Sequence, residues 1–387
     1  MGKLYTALGL MSGTSMDGVD ASIIKSDGER VYSALFDRYF EYGDNIRQKI
    51  LDIRAKILVP DHLIKYESEI KDIEREITLF HSNVVKEILN NNKIDVDLLG
   101  FHGQTIFHDS KKKITKQLGD GKLLSQLTKK KVVYNFRQND LKNGGQGAPL
   151  TPIFHNLIAN KYLKEKLDKS YSVNFVNIGG ISNITQTVKW DEFDKKKDYI
   201  KACDIAPGNC LIDEWVRKKS RKKYDIGGTL ASIGKTDELI LNQALENFNI
   251  GPPYKDSLDI KDFDISFVKG LSLEDGTSTL ADFTSSQISK ALKYFKDPEK
   301  TTIFLVCGGG RKNKYLMKSI LRSFDIIKGS KKINFYPVEE YGIDGDYVES
   351  QAFGYLAIRS ILKLPISFPN TTGCKKPISG GEIVKNF

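Results

Sequence analysis

The chain has 387 residues, of which 40% are hydrophobic and 28% charged, and its formal net charge is +10. This composition is that of a globular protein with two or three domains, and it excludes a disordered chain. No apolar run reaches the length of a membrane span and no signal-peptide pattern opens the sequence, so we expect a cytoplasmic protein that does not bind membranes.

The first half of the chain is predicted to form strands and helices in alternation. The predicted strands, each an apolar run bounded by turn residues, are Leu4–Met11, Val19–Lys25, Val31–Phe40, Val96–Phe101 and Val132–Phe136. The predicted helices run from about Asn45 to Asn90, near Leu123–Lys129, and from Pro152 to about Leu167. A polar, glycine-rich loop is predicted at Arg137–Pro149.

The second half repeats this order. Its predicted strands are Val173–Ile178, Ile181–Val188, Ile200–Ile205, Ile303–Cys307 and Ile333–Tyr336. Its predicted helices are Cys210–Lys219, Asp237–Phe248, Thr279–Phe295, Lys314–Phe324 and Val348–Leu362. Because the pattern of a strand hairpin, further strands and helices occurs twice, it predicts two copies of one α/β unit with a cleft between them.

The turn between the first two strands, Gly13-Thr14-Ser15-Met16-Asp17-Gly18, is unusual for a hairpin. Glycine lets a ligand approach the backbone closely, and the hydroxyls and amides supply hydrogen-bond donors that suit phosphate oxygens. The alternative is a plain polar hairpin tip. Gly179-Gly180 holds the equivalent position in the second half, where the alternative is a tight turn or bulge.

Two further positions point to a site in the second half. Gly308-Gly309-Gly310 follows a strand and precedes a helix, and such a flat surface suits a stacked adenine ring. Neither a dinucleotide-binding fingerprint nor a Walker A sequence occurs. Asp204 lies at a strand end before Pro207-Gly208-Asn209, where catalytic groups often lie in α/β folds. Its alternative role is to cap the following helix.

Six motifs occur in a fixed order over nearly the whole chain, and together they resemble the anhydro-N-acetylmuramic acid kinases. They are Gly13–Gly18, His102-Gly103-Gln104-Thr105 with Gln117–Asp120, Gly144–Leu150, Asn177–Asn183, Asp204–Asn209 and Cys307–Gly310. The resemblance implies the fold of the actin, sugar-kinase and chaperone ATPase superfamily, with two ribonuclease H-like α/β lobes around a central cleft. Lobe I is expected at 1–136 plus about 353–387, and lobe II at 137–352.

The resemblance also implies the reaction and the residues that carry it. This family opens the anhydro bridge of a cell-wall sugar with water and phosphorylates it with ATP and Mg²⁺, in peptidoglycan recycling, and a homodimer is expected. Asp204 is implied as the base that activates water. The residues implied to bind ATP are Gly13, Thr14, Ser15, Met16, Asp17, Gly18, Val19, Asp20, Gly179, Gly180, Gly308, Gly309 and Gly310. Those implied on the sugar side are His102, Gln104, Thr105, Asp120 and Glu349.

Several of these roles keep alternatives. A lone histidine at a strand end, such as His102, is more often structural. Glu349 is equally a first-turn glutamate that favours the helix dipole. The ligands of Mg²⁺ are unknown, with Asp17, Asp20 and Asp204 as candidates. The sequence departs from the family pattern twice, at Asn135 in place of an aspartate and at Lys255-Asp256-Ser257-Leu258-Asp259, which lacks a glycine and an arginine.

Three other functions compete with this one. A kinase for another anhydrohexose, such as levoglucosan, would have the same mechanism. A non-catalytic ATP-binding or filament-forming module would have the same fold. A basic nucleic-acid-binding protein would explain the net charge, but the lysine runs are scattered and carry little arginine, so no nucleic-acid partner is expected.

Overall fold

The computed structural model describes residues 2–166, 170–195, 200–248, 251–252, 254, 257–325 and 333–387. Its contacts divide the chain into two compact units. Unit 1 comprises Met1–Ile158, Phe193–Ile200 and Tyr347–Phe387, and unit 2 comprises Ala159–Glu192 and Lys201–Asp346. Residues 137–158, 193–200 and 347–352, which the sequence analysis expects in the second lobe, belong to unit 1 in this division.

Unit 1 is built on a seven-stranded sheet in the order β12-β6-β4-β1-β2-β3, with β5 paired to β4. The strands are β1 Tyr5–Ser12, β2 Gly18–Ser26, β3 Tyr32–Glu41, β4 Leu98–Asp109, β5 Ile114–Leu118, β6 Lys131–Tyr134 and β12 Glu382–Val384. The three opening strands are antiparallel, whereas β4 and β6 run parallel to β1. The predicted strand at Val96–Phe101 is too short, since β4 continues through the polar residues to Asp109 and pairs there with β5.

The first eight helices begin with three, α1 to α3, that occupy the long helical region predicted from about Asn45 to Asn90. They are α1 Asp44–Lys56, α2 Asp61–Lys65, α3 Glu67–Asn91, α4 Gly121–Thr128, α5 Gln138–Lys142, α6 Pro152–Tyr162, α7 Trp190–Lys195 and α8 Cys210–Lys219. The helical region predicted from about Asn45 to Asn90 is divided, because α1 ends before Pro60, whose ring disfavours helix at the preceding residue. Helix α5 lies within the segment predicted as a loop, Arg137–Pro149.

The remaining helices belong to both units. They are α9 Thr229–Ile233, α10 Glu238–Asn247, α11 Leu273–Phe295, α12 Lys314–Asp325, α13 Val348–Ile361 and α14 Pro369–Thr372. Helix α13 packs directly on the sheet of unit 1, because Gly9 and Gly100 present no side chain to it. A Cβ at Gly9 would lie 1.9 Å from the carbonyl oxygen of Ser350, and one at Gly100 would lie 2.2 Å from that of Phe353.

Unit 2 contains a five-stranded sheet in the order β11-β10-β7-β8-β9. The strands are β7 Tyr171–Ile178, β8 Ile181–Gln186, β9 Lys201–Pro207, β10 Thr301–Cys307 and β11 Ile333–Pro337. The hairpin of β7 and β8 continues antiparallel into β9, and β10 and β11 run parallel to β7. Taken from β9 to β11, these strands have the order and direction of β3-β2-β1-β4-β6 in unit 1. The predicted α/β class and the repeat of one unit are therefore confirmed.

Each unit has its own apolar core. In unit 1 the core lies between the sheet and helices α1 and α3, with Ile53, Ile77 and Phe101 among its fully buried residues. In unit 2 one core surrounds Trp215 and Phe283, and a second lies under β7 and β10. Within the described part of the chain, no helix combines the length and the hydropathy that a membrane crossing requires.

Candidate functional site

The tip of the first hairpin lies between β1 and β2. Thr14 and Ser15 are exposed, and a Cβ at Gly13 would meet nothing nearer than 3.8 Å. The side chains of Met16 and Val19, both predicted to bind ATP, are buried in the core, so these residues offer a ligand only their backbone. The tip therefore presents hydroxyls and amides on an open surface.

Gly18, at the base of this tip, has a different reason to be glycine. A Cβ there would lie 2.4 Å from the carbonyl oxygen of Phe40 and 2.6 Å from the ring of Tyr39. The residue is buried, and it allows β3 to pack closely against the start of β2. Close packing of the protein itself thus explains Gly18, whereas it does not explain Gly13.

Buried hydrogen bonds fix the end of β1 immediately before the tip. The hydroxyl of Ser12 lies 2.8 Å from the Tyr42 hydroxyl and 3.3 Å from Nε2 of His81. Burial lowers the pKa of His81 to about 4, so the imidazole is neutral at pH 7. On the other side of the tip, Nε2 of Gln104 donates to the carbonyl of Gly13 at 2.9 Å.

Gln104 and Thr105 were predicted on the sugar side, and the structure places both on β4. Gln104 is fully buried and lies opposite Ser12 in the sheet, so its bond to Gly13 joins the predicted sugar motif to the predicted phosphate tip. Its Oε1 has no donor among the described residues. The Thr105 hydroxyl accepts a hydrogen bond from Gln117 at 3.2 Å.

The contacts of His102 orient an arginine. Since a carbonyl only accepts, Nδ1 donates to the Gly103 carbonyl at 2.7 Å, and Nε2 accepts from Nη2 of Arg137 at 3.0 Å. Burial and the charge of Arg137 hold the pKa of His102 well below its usual range, which excludes an imidazolium at pH 7. Arg137 also donates to the carbonyl of Gly147 at 2.8 Å, so it ties His102 to the glycine-rich loop.

The two acidic residues predicted on the sugar side lie at helix starts. Asp120 is the N-cap of α4, and its Oδ1 accepts from the backbone amides of Lys122 and Leu123 at 2.8 and 3.0 Å. This contact alone accounts for an aspartate at that position. Glu349 lies in the first turn of α13, where a negative charge favours the helix dipole.

The tip of the second hairpin is held by main-chain contacts. The carbonyl of Gly179 accepts from the amide of Asn209 at 2.8 Å, and that of Gly180 accepts from the amides of Gly208 and Cys210 at 2.9 and 3.3 Å. A Cβ at Gly208 would lie 2.1 Å from the Gly179 carbonyl oxygen. The first amide of α8 and the two amides before it therefore bind the tip.

The three consecutive glycines after β10 do not share one role. Gly308 has a φ of 79°, and a Cβ there would lie 2.2 Å from Oδ1 of Asn177. Gly310 is buried against Ile178, whose Cγ2 would lie 2.2 Å from an added Cβ. Gly309 is exposed and its nearest neighbour would be 3.7 Å away, so it alone of the three has the open surface predicted for a nucleotide base.

Asp204 lies on β9 and is 8% exposed. The register with β8 shifts between Ser182 and Asn183, so Asp204 lies opposite Asn183 beside a bulge, a feature that redirects side chains near active sites. The N-cap position of α8 belongs to Asn209, five residues after Asp204. The buried Oδ1 of Asn183 has no donor among the described residues.

Ser257 and Leu258 hold the Asp204 carboxylate, a contact that the sequence analysis does not predict. Oδ2 of Asp204 accepts from the Ser257 hydroxyl at 3.1 Å and from the Leu258 amide at 2.9 Å. Both donors belong to the second segment that departs from the family pattern. Lys255 and Asp256 of that segment lie outside the described residues.

Comparison with known proteins identifies the family. The model of the anhydro-N-acetylmuramic acid kinase family matches residues 5–386. The chain belongs to this family. An anhydro-N-acetylmuramic acid kinase of Pelagibacter ubique is 55% identical to it, and one of Agrobacterium fabrum is 38% identical, each over all of both chains. That of Zymomonas mobilis is 37% identical over 97% of this chain and 99% of its own.

Membership of the anhydro-N-acetylmuramic acid kinases makes the chain an enzyme, a kinase of the transferase class. Asn135 departs from the aspartate of the family pattern described above. Asn135 has a φ of 54°, a conformation in which asparagine is favoured, and its Nδ2 donates to Glu382 at 3.0 Å. An aspartate at 135 would bring a second carboxylate against Glu382, so the two residues fit as a pair.

Proposed function

We propose that the chain opens 1,6-anhydro-N-acetylmuramic acid with water and phosphorylates it from ATP to N-acetylmuramic acid 6-phosphate. The observation that carries the proposal is Asp204, a buried carboxylate in the middle of β9, in a chain whose residues 5–386 match the kinase family. The fold alone would support many activities, so the reaction is argued from this residue.

The reaction requires one base. Water attacks the anomeric carbon C1 as the bond between C1 and the bridging oxygen breaks, and that oxygen takes the γ-phosphoryl group as ADP leaves. The proton of the attacking water passes to the Asp204 carboxylate. Directly opposite residues of a β-ladder lie on one face of the sheet. A water on Asp204 therefore has a second acceptor in Oδ1 of Asn183, which lacks a donor among the described residues.

ATP is proposed to bind through the glycine tips. Thr14 and the backbone of Gly13 and Ser15 supply donors for phosphate oxygens, whereas the Ser15 hydroxyl donates to Oδ1 of Asp17 at 2.5 Å. Gly179 belongs to the second tip and is not required by packing, since an added Cβ would have its nearest contact at 3.6 Å. Gly309 supplies the exposed surface for the adenosine.

Magnesium is proposed to enter with ATP and to neutralise the charge of its phosphates. Burial and the charges of Asp17, Glu41 and Asp20 raise the pKa of Tyr39, which means that carboxylates surround the first tip and suit a cation there. No three metal-ligating side chains converge among the described residues. This fits Mg²⁺, which keeps several waters and takes one or two carboxylates.

On the sugar side, we propose that the surface comprises His102, Gln104, Thr105, Asp120 and Glu349, with the neutral His102 acting through Arg137. A homodimer in the cytoplasm and a role in peptidoglycan recycling are proposed from family membership. Substitution of the charged residues beside the sugar would alter the specificity of the enzyme, so the substrate requires a direct test.

The test is ADP release by the purified protein with Mg·ATP, with and without 1,6-anhydro-N-acetylmuramic acid, and with levoglucosan. The proposal expects release that depends on the anhydro amino sugar, with N-acetylmuramic acid 6-phosphate identified by mass spectrometry. Release with levoglucosan alone would move the substrate to another anhydrohexose. Folded protein that binds ATP without sugar-dependent release would support the non-catalytic module, and salt-sensitive DNA binding would support the nucleic-acid alternative.

A further inference from the structure

Asp204 is held from a part of the chain that is distant in sequence. The hydroxyl of Ser257 and the amide of Leu258 both donate to the same carboxylate oxygen, Oδ2. Two donors on one oxygen fix the rotation of the carboxylate, because turning it would break both bonds. Hydrogen bonds to a charged group are also stronger than those between neutral groups.

The segment that supplies these donors is itself anchored. The side chains of Leu258 and Ile260 pack against the core around Trp215, and Phe263 and Ile265 are buried in it. Asp259 and Asp262 form a reciprocal capping box around the short 3₁₀ helix Ile260–Asp262. The position of the Leu258 amide is therefore set by packing on its C-terminal side.

We propose that Ser257 is a positioning residue for the catalytic base, and that residues 257–265 form an anchored support for Asp204. This inference rests on the proposed function, in which Asp204 accepts the proton of the attacking water. Removal of the Ser257 hydroxyl leaves the Leu258 bond in place. Catalysis should therefore be reduced and not abolished, and ATP binding should be unaffected because Ser257 acts through Asp204.

The experiment compares Ser257→Ala, Ser257→Thr and the control Ser232→Ala in steady-state kinetics with Mg·ATP and the anhydro amino sugar. Ser232 is an exposed serine of unit 2 whose hydroxyl bonds within its own helix, to Thr229. We expect S257A to lower kcat roughly 10-fold, the effect of losing one hydrogen bond to a charged group. The KM for ATP and the melting temperature should be unchanged, S257T should recover most of kcat, and S232A should match the wild type.

A double-mutant cycle with Asp204→Asn separates this inference from the proposed function. If Ser257 acts through Asp204, then adding S257A to D204N causes no further loss. An unchanged kcat in S257A, or a loss that adds to that of D204N, would overturn the positioning role. Full activity in D204N would overturn the proposed base itself, whatever the result with Ser257.

A fall in the melting temperature of S257A would leave its kinetics ambiguous, so a second variant is included. Ser257→Cys keeps the size of the side chain but has only a weak donor. The same loss of kcat in a stable S257C supports the positioning role, and wild-type kcat in S257C contradicts it.

Discussion

The two units share one strand order but hold their hairpin tips by different means. In unit 1, side chains do so: Gln104 binds the carbonyl of Gly13, and His81 and Tyr42 bind Ser12. In unit 2, main-chain amides of Gly208 and Asn209 bind the tip carbonyls, and glycines allow the close approach. The topology thus fixes where a tip lies, and the sequence of each unit decides how it is held.

The units also differ in the residues that respond to acid. All five histidines of the chain lie in unit 1, and both tryptophans lie in unit 2. Three of these histidines, His81, His102 and His155, are buried. A change of pH or a substitution that acts on one unit, followed by measurement of both units, therefore tests this difference.

The largest expected effect is acid destabilisation of unit 1. Burial lowers the pKa of His81 to about 4 and that of His155 to about 3, from an ordinary value of 6.5. Because the unfolded chain binds protons that the folded unit does not, stability is complete above pH 6.5 and is lost as the pH falls toward those folded-state values. At pH 5 each histidine should cost about 2 kcal/mol, so that His81 and His155 together cost about 4 kcal/mol.

Urea unfolding at pH 7.5 and pH 5 tests this difference. Tryptophan fluorescence reports on unit 2, and pulsed hydrogen exchange with mass spectrometry reports on each unit. In unit 2, burial raises the pKa of Asp346, but hydrogen bonds from Arg311 and Lys312 outweigh it and lower that pKa, so this group stays charged at pH 5. Unit 1 should unfold at lower urea than unit 2 at pH 5. Equal losses of stability in both units between pH 7.5 and pH 5 would contradict the attribution of acid sensitivity to the buried histidines.

The next largest effect is expected from glycines that the packing requires. In Gly208→Ala the new Cβ would lie 2.1 Å from the Gly179 carbonyl, and in Gly18→Ala it would lie 2.4 Å from the Phe40 carbonyl. Each substitution should cost about 3 kcal/mol, because backbone must move to relieve the overlap. The measurement is the free energy of unfolding, and a near-neutral value for either variant would refute the packing argument for that tip.

The smallest effect on stability is expected at the open glycines. In Gly13→Ala and Gly179→Ala the added Cβ would have its nearest contacts at 3.8 and 3.6 Å, so both proteins should fold with wild-type stability. If both tips bind phosphate, the methyl groups should weaken ATP binding about 10-fold, which corresponds to about 1.4 kcal/mol. Isothermal titration with a non-hydrolysable ATP analogue measures this. Loss of affinity in only one variant would restrict phosphate binding to that unit.

Much of the fold could be predicted from local patterns, and the misses have physical causes. The hairpins were predicted because apolar runs flank glycine and serine. The extension of β4 beyond Phe101 was missed because its residues are polar and are stabilised by pairing with β5, a strand that the sequence did not predict. Helix α11 begins at Leu273 and not at Thr279, since its first turns are polar and are capped by Ser272.

The candidate site was predictable only in part, for a similar reason. Asp204 and the tips carry local signals, because a strand before a Pro-Gly turn and glycines between apolar runs are visible in the sequence. The predicted strand end at Asp204 is nevertheless wrong, since β9 continues to Pro207. The bond from Gln104 to Gly13 joins residues 91 positions apart, and that from Ser257 to Asp204 joins residues 53 apart. Such contacts depend on the tertiary structure. Arg137 is visible in the sequence as the start of the predicted glycine-rich loop, but only the structure reveals its bond to His102.

The central claim is that Asp204 is the base of a sugar-dependent kinase. Sugar-dependent ADP release by wild-type and Asp204→Asn protein, measured beside ATP affinity and melting temperature, tests it most directly. We expect the substitution to lower kcat by about 10²–10⁴, the usual contribution of a general base, with ATP affinity and stability retained. Sugar-dependent release at the wild-type rate in a folded Asp204→Asn protein would contradict the account.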